Sequence, residues 1–224
     1  MPLAPSRPLP SNPRMTSTQT VAGIVLAGGR SRRMGGGDKS LMPLDGRPLI
    51  AHAVARLRPQ VAMLAVNANG DSARFAAFGV PVIADTIPGF AGPLAGILAG
   101  LRWAESAGAR FLATAAVDTP FFPPDLVVRL LDATTGAAVA IARSGGRLHP
   151  VFGLFPVDRA GDLALFIGRR ESLKVSDWLA RQATVAVDFD GAAPGGLDPF
   201  FNLNTPADLD VANLAIAASP LPES

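Results

Sequence analysis

Five apolar runs constrain the fold of this chain more than any other feature. They are AGIVLA at 22–27, VAMLAVNA at 61–68, VPVIAD at 80–85, RFLATAAVD at 110–118 and AAVAIAR at 137–143. None alternates cleanly between apolar and polar residues, so a strand at each place is covered on both faces, as in a parallel sheet. Helical stretches fall between them: PLIAHAVARLR at 48–58, GPLAGILAGLRWAESAG at 92–108 and PPDLVVRLLDA at 123–133, where Pro123 and Pro124 suit a helix start. The alternation predicts a three-layer α/β fold with a mostly parallel central sheet and right-handed crossovers. Beyond residue 149 the order loosens. HPVFGLF and ATVAVDF read as strands, SLKVSDWLARQ as a helix, and TPADLDVANLAIAA as a capped terminal helix.

Length and composition narrow the function classes. A chain of 224 residues buries one good core, and a single domain is expected over 21–218. The net charge is only +2, tyrosine is absent, and no basic stripe is interleaved with aromatics, so nucleic-acid binding is not expected. Without cysteine there is no disulfide and no Cys-ligated zinc or iron–sulfur site. His52 and His149 are too few for a multi-histidine centre, so a metal here is a hard cation on carboxylate oxygens. Residues 1–20, MPLAPSRPLPSNPRMTSTQT, are rich in Pro and Ser and lack an apolar segment. They are expected to be a disordered extension, neither signal peptide nor membrane anchor, with Met15 a second candidate start. No run of eighteen apolar residues occurs, and a cytoplasmic location is expected.

Ligands of such sheets bind beyond the carboxyl ends of the strands. After the first run the chain turns to LAGGRSRRMGGGDKS, with five glycines between 28 and 37 and Lys39 at the end. A loop of φ-permissive glycines exposes backbone N–H groups to an anion, which points to phosphate. Asp38 separates Gly37 from Lys39, so the spacing is not that of a Walker loop, and Gly-x-Gly-x-x-Gly is also missing. Lys39 and Lys174 are the two lysines against eighteen arginines, which suggests that a compact ammonium is needed at the loop's end. The plainer reading is a solvated basic turn. Asp118, at the end of the fourth run, is either a Mg²⁺ ligand beside phosphate or a turn cap. Asp85, Asn67 and Asn69 also stand at strand ends, where they contact a ligand or simply form turns. His149 reads as structural.

The segment LAGGRSRRMGGGDKSLMPLDGRPLI resembles the signature of the molybdenum cofactor guanylyltransferases, in the nucleotidyltransferase group of Rossmann-like α/β proteins. The resemblance continues through VNAN, VIAD, GPLAGIL, VDTPFFPPDL, HP and FNLNTPADL, in order, from 21 to about 215. It implies transfer of GMP from GTP to the phosphate of molybdenum-molybdopterin, with release of pyrophosphate and with Mg²⁺ as cofactor. It also implies a nucleotide-binding half over about 21–135 and an acceptor-binding half over about 136–218. Carried over by motif, Leu26, Ala27 and Gly28 contact the nucleotide through backbone, Lys39 the phosphates, and Asn67 and Asp85 the nucleoside side. Asp118 binds Mg²⁺ and nucleotide, while Asn202 and Asn204 lie near the pterin phosphate. Gly92 and Gly96 allow close backbone approach to the ligand. Lys39, Arg33 and Asp118 form the implied catalytic set, with Arg30 and Arg33 facing the leaving pyrophosphate. Other cofactor-biosynthesis proteins and recipient molybdoenzymes are the implied protein partners. Relatives that use CTP on the same pterin tend to read LAAG, so LAGG favours guanine. A transferase acting on a sugar phosphate and a non-catalytic nucleotide-binding adaptor remain alternatives.

Overall fold

The computed structural model describes residues 20–28, 38–87, 92–134, 138–170, 172–191 and 193–218. The N-terminal extension and the centre of the glycine loop lie outside them. The first apolar run forms β1 (Val21–Leu26), buried along its whole length. A short hairpin follows, β2 (Pro43–Leu44) and β3 (Arg47–Pro48), turned by Asp45 and Gly46 at φ 48° and 69°. An Asp-Gly pair suits a tight hairpin because both central residues take positive φ. Helix α1 (Leu49–Leu57), strand β4 (Met63–Asn67), a 3-10 run over Ser72–Phe78 and strand β5 (Val82–Ile83) come next. Helix α2 (Pro93–Ser106), strand β6 (Phe111–Ala116) and helix α3 (Leu126–Ala133) complete the first half. The second half comprises β7 (Val139–Ser144), β8 (Arg147–Pro156), α4 (Ala160–Arg169), α5 (Val175–Leu179), β9 (Thr184–Asp188) and α6 (Pro206–Ala218).

Seven strands form one sheet in the order β5-β4-β1-β6-β8-β7-β9. All are mutually parallel except β8, which runs antiparallel to both β6 and β7. Successive side chains of a strand face opposite layers. Ala22, Ile24 and Leu26 of β1 therefore face the layer that holds α2, α4 and α5, while Val21 and Val25 face the layer that holds α1, α3 and α6. Three layers result, as the alternating pattern predicts.

Several boundaries depart from the sequence reading. The segment 80–85 contributes only two paired residues, opposite Val66 and Asn67. Helix α3 begins at Leu126, after both prolines, because Pro124 disfavours helical geometry at Pro123 and Leu126 N–H instead closes a turn on the Pro123 carbonyl at 3.2 Å. The helix expected at 172–182 is confined to Val175–Leu179. Helix α4, not expected, carries Leu163, Phe166 and Ile167 at helical spacing, and its Asp162 accepts from the fully buried indole of Trp178 at 2.8 Å.

Helix α2 lies unusually close to the sheet through Gly96 and Gly100. A Cβ on Gly100 would stand 2.8 Å from Leu112 and 3.0 Å from Ile24. One on Gly96 would stand 2.3 Å from Asn67 Oδ1 and 2.9 Å from Leu26. Asn67 cannot swing away, since its amide nitrogen is bonded to the Ile83 carbonyl and to Asp85. Gly96 thus serves contact between helix and sheet. Gly92, just before α2, has φ 155° and open space around it, a backbone setting suited to glycine. We expect Gly96→Ala to lose about 2 kcal/mol, because overpacking at the upper end of ~1–3 kcal/mol outweighs the ~1 kcal/mol gain in helix propensity. Urea unfolding checks this, and an unchanged midpoint would show that the helix lifts without cost.

Candidate active site

The carboxyl ends of the six parallel strands and the amino end of β8 share one edge of the sheet. At its centre, β1 is held from both sides: Ala27 N–H donates to the Asn67 carbonyl at 2.9 Å, and Val117 N–H to the Leu26 carbonyl at 3.1 Å. These bonds occupy Leu26 and Ala27 in the sheet. Gly28 is exposed and is the first residue free to turn its backbone outward. Arg30 and Arg33 lie outside the described residues.

Lys39 returns to the edge in a short 3-10 turn (Lys39–Leu41) capped by Asp38, whose Oδ1 accepts from Ser40 N–H at 3.0 Å and from the Ser40 hydroxyl at 2.5 Å. From there the Lys39 ammonium donates to Asp118 Oδ2 at 2.8 Å and to Asn204 Oδ1 at 3.0 Å. Asp118 stands two residues beyond β6, and its carbonyl accepts Leu203 N–H at 2.8 Å. Asn204 is oriented by the start of α6. Asp208 Oδ2 accepts from Asn204 and Thr205 N–H at 2.9 and 2.8 Å, and Asp208 N–H donates back to the Thr205 hydroxyl at 3.2 Å, a reciprocal cap. The Asn204 backbone bond, followed by the other cap bonds and the Lys39 charge, holds the Asp208 carboxyl below its ordinary value. Three regions far apart in sequence thus converge on one ammonium.

A second cluster forms at the ends of β4 and β5. Asn67 is 5% exposed and donates to the Ile83 carbonyl at 3.0 Å and to Asp85 Oδ1 at 2.9 Å. Asn69 Nδ2 donates to Asp85 Oδ2 at 2.7 Å, and Asp85 N–H returns a bond to Asn69 Oδ1 at 2.9 Å. Asn67 and Asn69 therefore act here as struts that aim Asp85.

The model of the MobA-like NTP transferase domain matches residues 23–185, well over half of the chain. The chain belongs to that family. A molybdenum cofactor guanylyltransferase of Mesorhizobium japonicum is 50% identical over 192 residues, spanning 84% of this chain and 92% of the relative. Another from Rhizobium meliloti is 47% identical, spanning 83% and 87%. Among solved structures, the molybdopterin-guanine dinucleotide biosynthesis protein A of Archaeoglobus fulgidus superposes with a TM-score of 0.71 at 24% identity, covering 88% of this chain and 98% of that one. A 4-diphosphocytidyl-2C-methyl-D-erythritol synthase of Anaerococcus prevotii shares the fold at a TM-score of 0.69 and 10% identity, over 89% and 96% of the two chains. This NTP transferase has no helix, among the described residues, long and apolar enough to cross a membrane.

The family's usual divalent metal can be tested against the side chains. Among the described residues no cluster of three or more His, Asp or Glu could form a protein cage. Asp118 is part-exposed, and its Oδ1 takes no hydrogen bond from a described residue. A single open carboxylate fits a Mg²⁺-type ion, which is commonly bound by one or two carboxylates and substrate phosphates.

Asn202, two residues before Asn204, is exposed at the edge, without a described hydrogen bond. Sequence reasoning left His149 as structural, and the structure gives it defined partners. Its ring stacks on Phe200 at 4.3 Å, and Nε2 lies 2.7 Å from the Ser144 hydroxyl, which in turn is 2.7 Å from Asp198 Oδ2. With one hydroxyl proton to give, Ser144 donates to Asp198 and accepts from His149 Nε2–H. Burial lowers the His149 pKa from its ordinary 6.5, assisted by Arg147 and opposed by Asp198. Asp38 and Arg74 were missed; the Asp-x-Ser spacing of Asp38 and Ser40 around Lys39 was the available signal for Asp38.

The depressed His149 pKa links stability to pH. The folded state binds fewer protons there than the unfolded chain, so stability is full above about pH 6.5 and declines as pH falls below it. We expect the urea midpoint to fall between pH 7.5 and 5.5, and His149→Gln to flatten that fall. Equal slopes in the two proteins would overturn the assignment.

Proposed function

We propose that this chain is a molybdenum cofactor guanylyltransferase, joining GMP from GTP to the phosphate of molybdenum-molybdopterin. The observation that carries the reading is the Lys39–Asp118–Asn204 constellation at the carboxyl edge. The likeness to curated guanylyltransferases at 50% identity supports the same choice. In this reading the terminal phosphate of the pterin attacks the α-phosphorus of GTP, a new P–O bond forms, and the α–β bridge breaks to release pyrophosphate. Mg²⁺, when bound, neutralises phosphate charge as a Lewis acid. Asp118 would hold it.

Lys39 moves its ammonium from Asp118 towards the phosphates and stabilises charge as it builds on them. Asn204 orients that ammonium and faces the acceptor, with Asn202 beside it. Asp85, braced by Asn67 and Asn69, lies on the nucleoside side, and Gly28 offers backbone N–H. No protein nucleophile is required, because positioning and electrostatics carry such a step. The pterin enters across residues 202–204, next to His149.

Pyrophosphate release tests the reading. We expect release from GTP, dependent on the pterin acceptor and on Mg²⁺, and much weaker release from CTP, ATP or UTP. Lys39→Arg should lower turnover about 10²-fold, the scale of losing one preorganised donor, with melting temperature nearly unchanged. Asp118→Asn should lose a similar amount and shift the Mg²⁺ dependence upward. Full turnover of Asp118→Asn at ordinary Mg²⁺ would remove the carboxylate from the metal site, and preference for CTP would replace guanine with cytosine.

A further inference from the structure

Arg74 lies in the 3-10 run after β4, and its guanidinium spans two parts of the site. Nε donates to Asp38 Oδ2 at 2.6 Å. The two terminal nitrogens donate to backbone carbonyls, one to Asn69 at 2.8 Å and the other to Asp71. The guanidinium also sits 4.5 Å above the ring of Phe75, which is fully buried and anchors the segment in the core. A planar fork with several donors satisfies such a set at once, whereas an ammonium on a flexible stem is a single point.

Each partner of Arg74 leads to a site residue. Asp38 caps the turn that carries Lys39, using its other oxygen on the backbone and hydroxyl of fully buried Ser40. Asn69 exchanges two hydrogen bonds with Asp85. One side chain therefore ties the exit of the glycine loop to the loop that presents Asp85.

We infer that Arg74 is a positioning residue for nucleotidyl transfer. It staples the phosphate-side segment at Asp38 to the nucleoside-side segment at Asn69, and so fixes the separation between Lys39 and Asp85. The inference rests on the nucleotide-transfer reading above. A nucleoside triphosphate must meet both ends together, and a displacement near 1 Å of one group relative to another costs about 10²-fold in rate. Each segment also keeps its own bonds without Arg74: Asp38 still caps Ser40, and Asn69 still holds Asp85. Removing the staple should therefore harm ligands that reach both segments and spare those that reach one.

The experiment uses the full chain with Arg74→Gln, Arg74→Lys, Asp38→Asn and the Arg74→Gln/Asp38→Asn double variant. Titration calorimetry measures GTP, guanosine and Mg²⁺-pyrophosphate separately, alongside kcat, KM and melting temperature. We expect Arg74→Gln to lower kcat/KM for GTP about 10- to 100-fold and to weaken GTP about tenfold. Guanosine and pyrophosphate should each change less than about threefold. Arg74→Lys should recover part of the loss, and the double variant should be little worse than either single one, because both break the same link. Wild-type kinetics in Arg74→Gln would overturn the inference, as would a loss of guanosine or pyrophosphate binding equal to that of GTP, which means direct contact. If Arg74→Gln does not fold, the same comparison on Arg74→Lys decides. If the wild-type chain binds a different nucleoside triphosphate, the guanylyl reading fails while the staple is judged on that nucleotide and its two fragments.

Discussion

The placement of β1 is the constraint on which the rest of the structure depends. It is bonded along its length to β4 on one side and β6 on the other, and both of its faces are buried. With no polar side chain at any position it has no solvent face, so helices must cover both sides. Parallel neighbours bring their carboxyl ends to one edge, and the polar residues that terminate these strands gather there. Asn67 ends β4, Asp118 follows β6, and the glycine loop follows β1. The polar edge is a consequence of strand direction before it is a consequence of any particular side chain.

Charge at this edge is arranged in linked pairs. Lys39 faces Asp118, and Arg74 faces Asp38 one residue away from Lys39. All four side chains are only about one-eighth to one-quarter exposed. Partial burial strengthens these pairs relative to surface ion pairs, yet leaves a path for an anionic ligand to exchange with a carboxylate. Nearby, Asp85 has both oxygens engaged by amides, and among the described residues no cation pairs with it. Among the described residues the Lys39 end of the edge is therefore balanced by salt bridges and the Asp85 end by neutral hydrogen bonds, a division that would suit the proposed nucleotide, which is charged at one end.

What was legible in the sequence follows from periodicity and from strand ends. Uninterrupted apolar runs identified β1, β4 and β6, and the three-layer class followed from their alternation with helices. Lys39 and Asp118 were legible as candidates because each stands at the end of a segment that leads to the edge, and the two side chains meet there. Gly96 was read as a place for ligand approach, whereas a Cβ there would strike Asn67. Nothing local in the sequence shows which surface a bare helix face meets. Arg74 was not legible for a related reason, since its value lies in partners at Asp38 and Asn69 that only the folded chain brings near. Helix α4 was missed although Leu163, Phe166 and Ile167 have the right spacing, because no capping side chain marks its start: Arg159 precedes it without a cap bond.

The antiparallel strand β8 explains how the second half brings residues to the Lys39 edge at all. Its ladder with β6 runs from Phe111 opposite Pro156 to Thr114 opposite Gly153 and then stops. Continued by four residues, the same register would set Asp118 opposite His149. Instead the fully buried Thr114 hydroxyl donates to the Val151 carbonyl at 2.7 Å, and a register shift between Ile141 and Ala142 turns β8 towards β7. Such an irregularity bends a strand and ends its pairing, a common device beside active sites. The opening is occupied by the segment leading into α6, in which Phe200 stacks on His149 and Leu203 N–H bonds the Asp118 carbonyl. Asn202 and Asn204 flank Leu203, so the place where β6 and β8 part is also where these two residues reach the edge. The parting of two strands delivers Asn204 to Lys39, and it is what would let one sheet hold both substrates of the proposed reaction without a second fold.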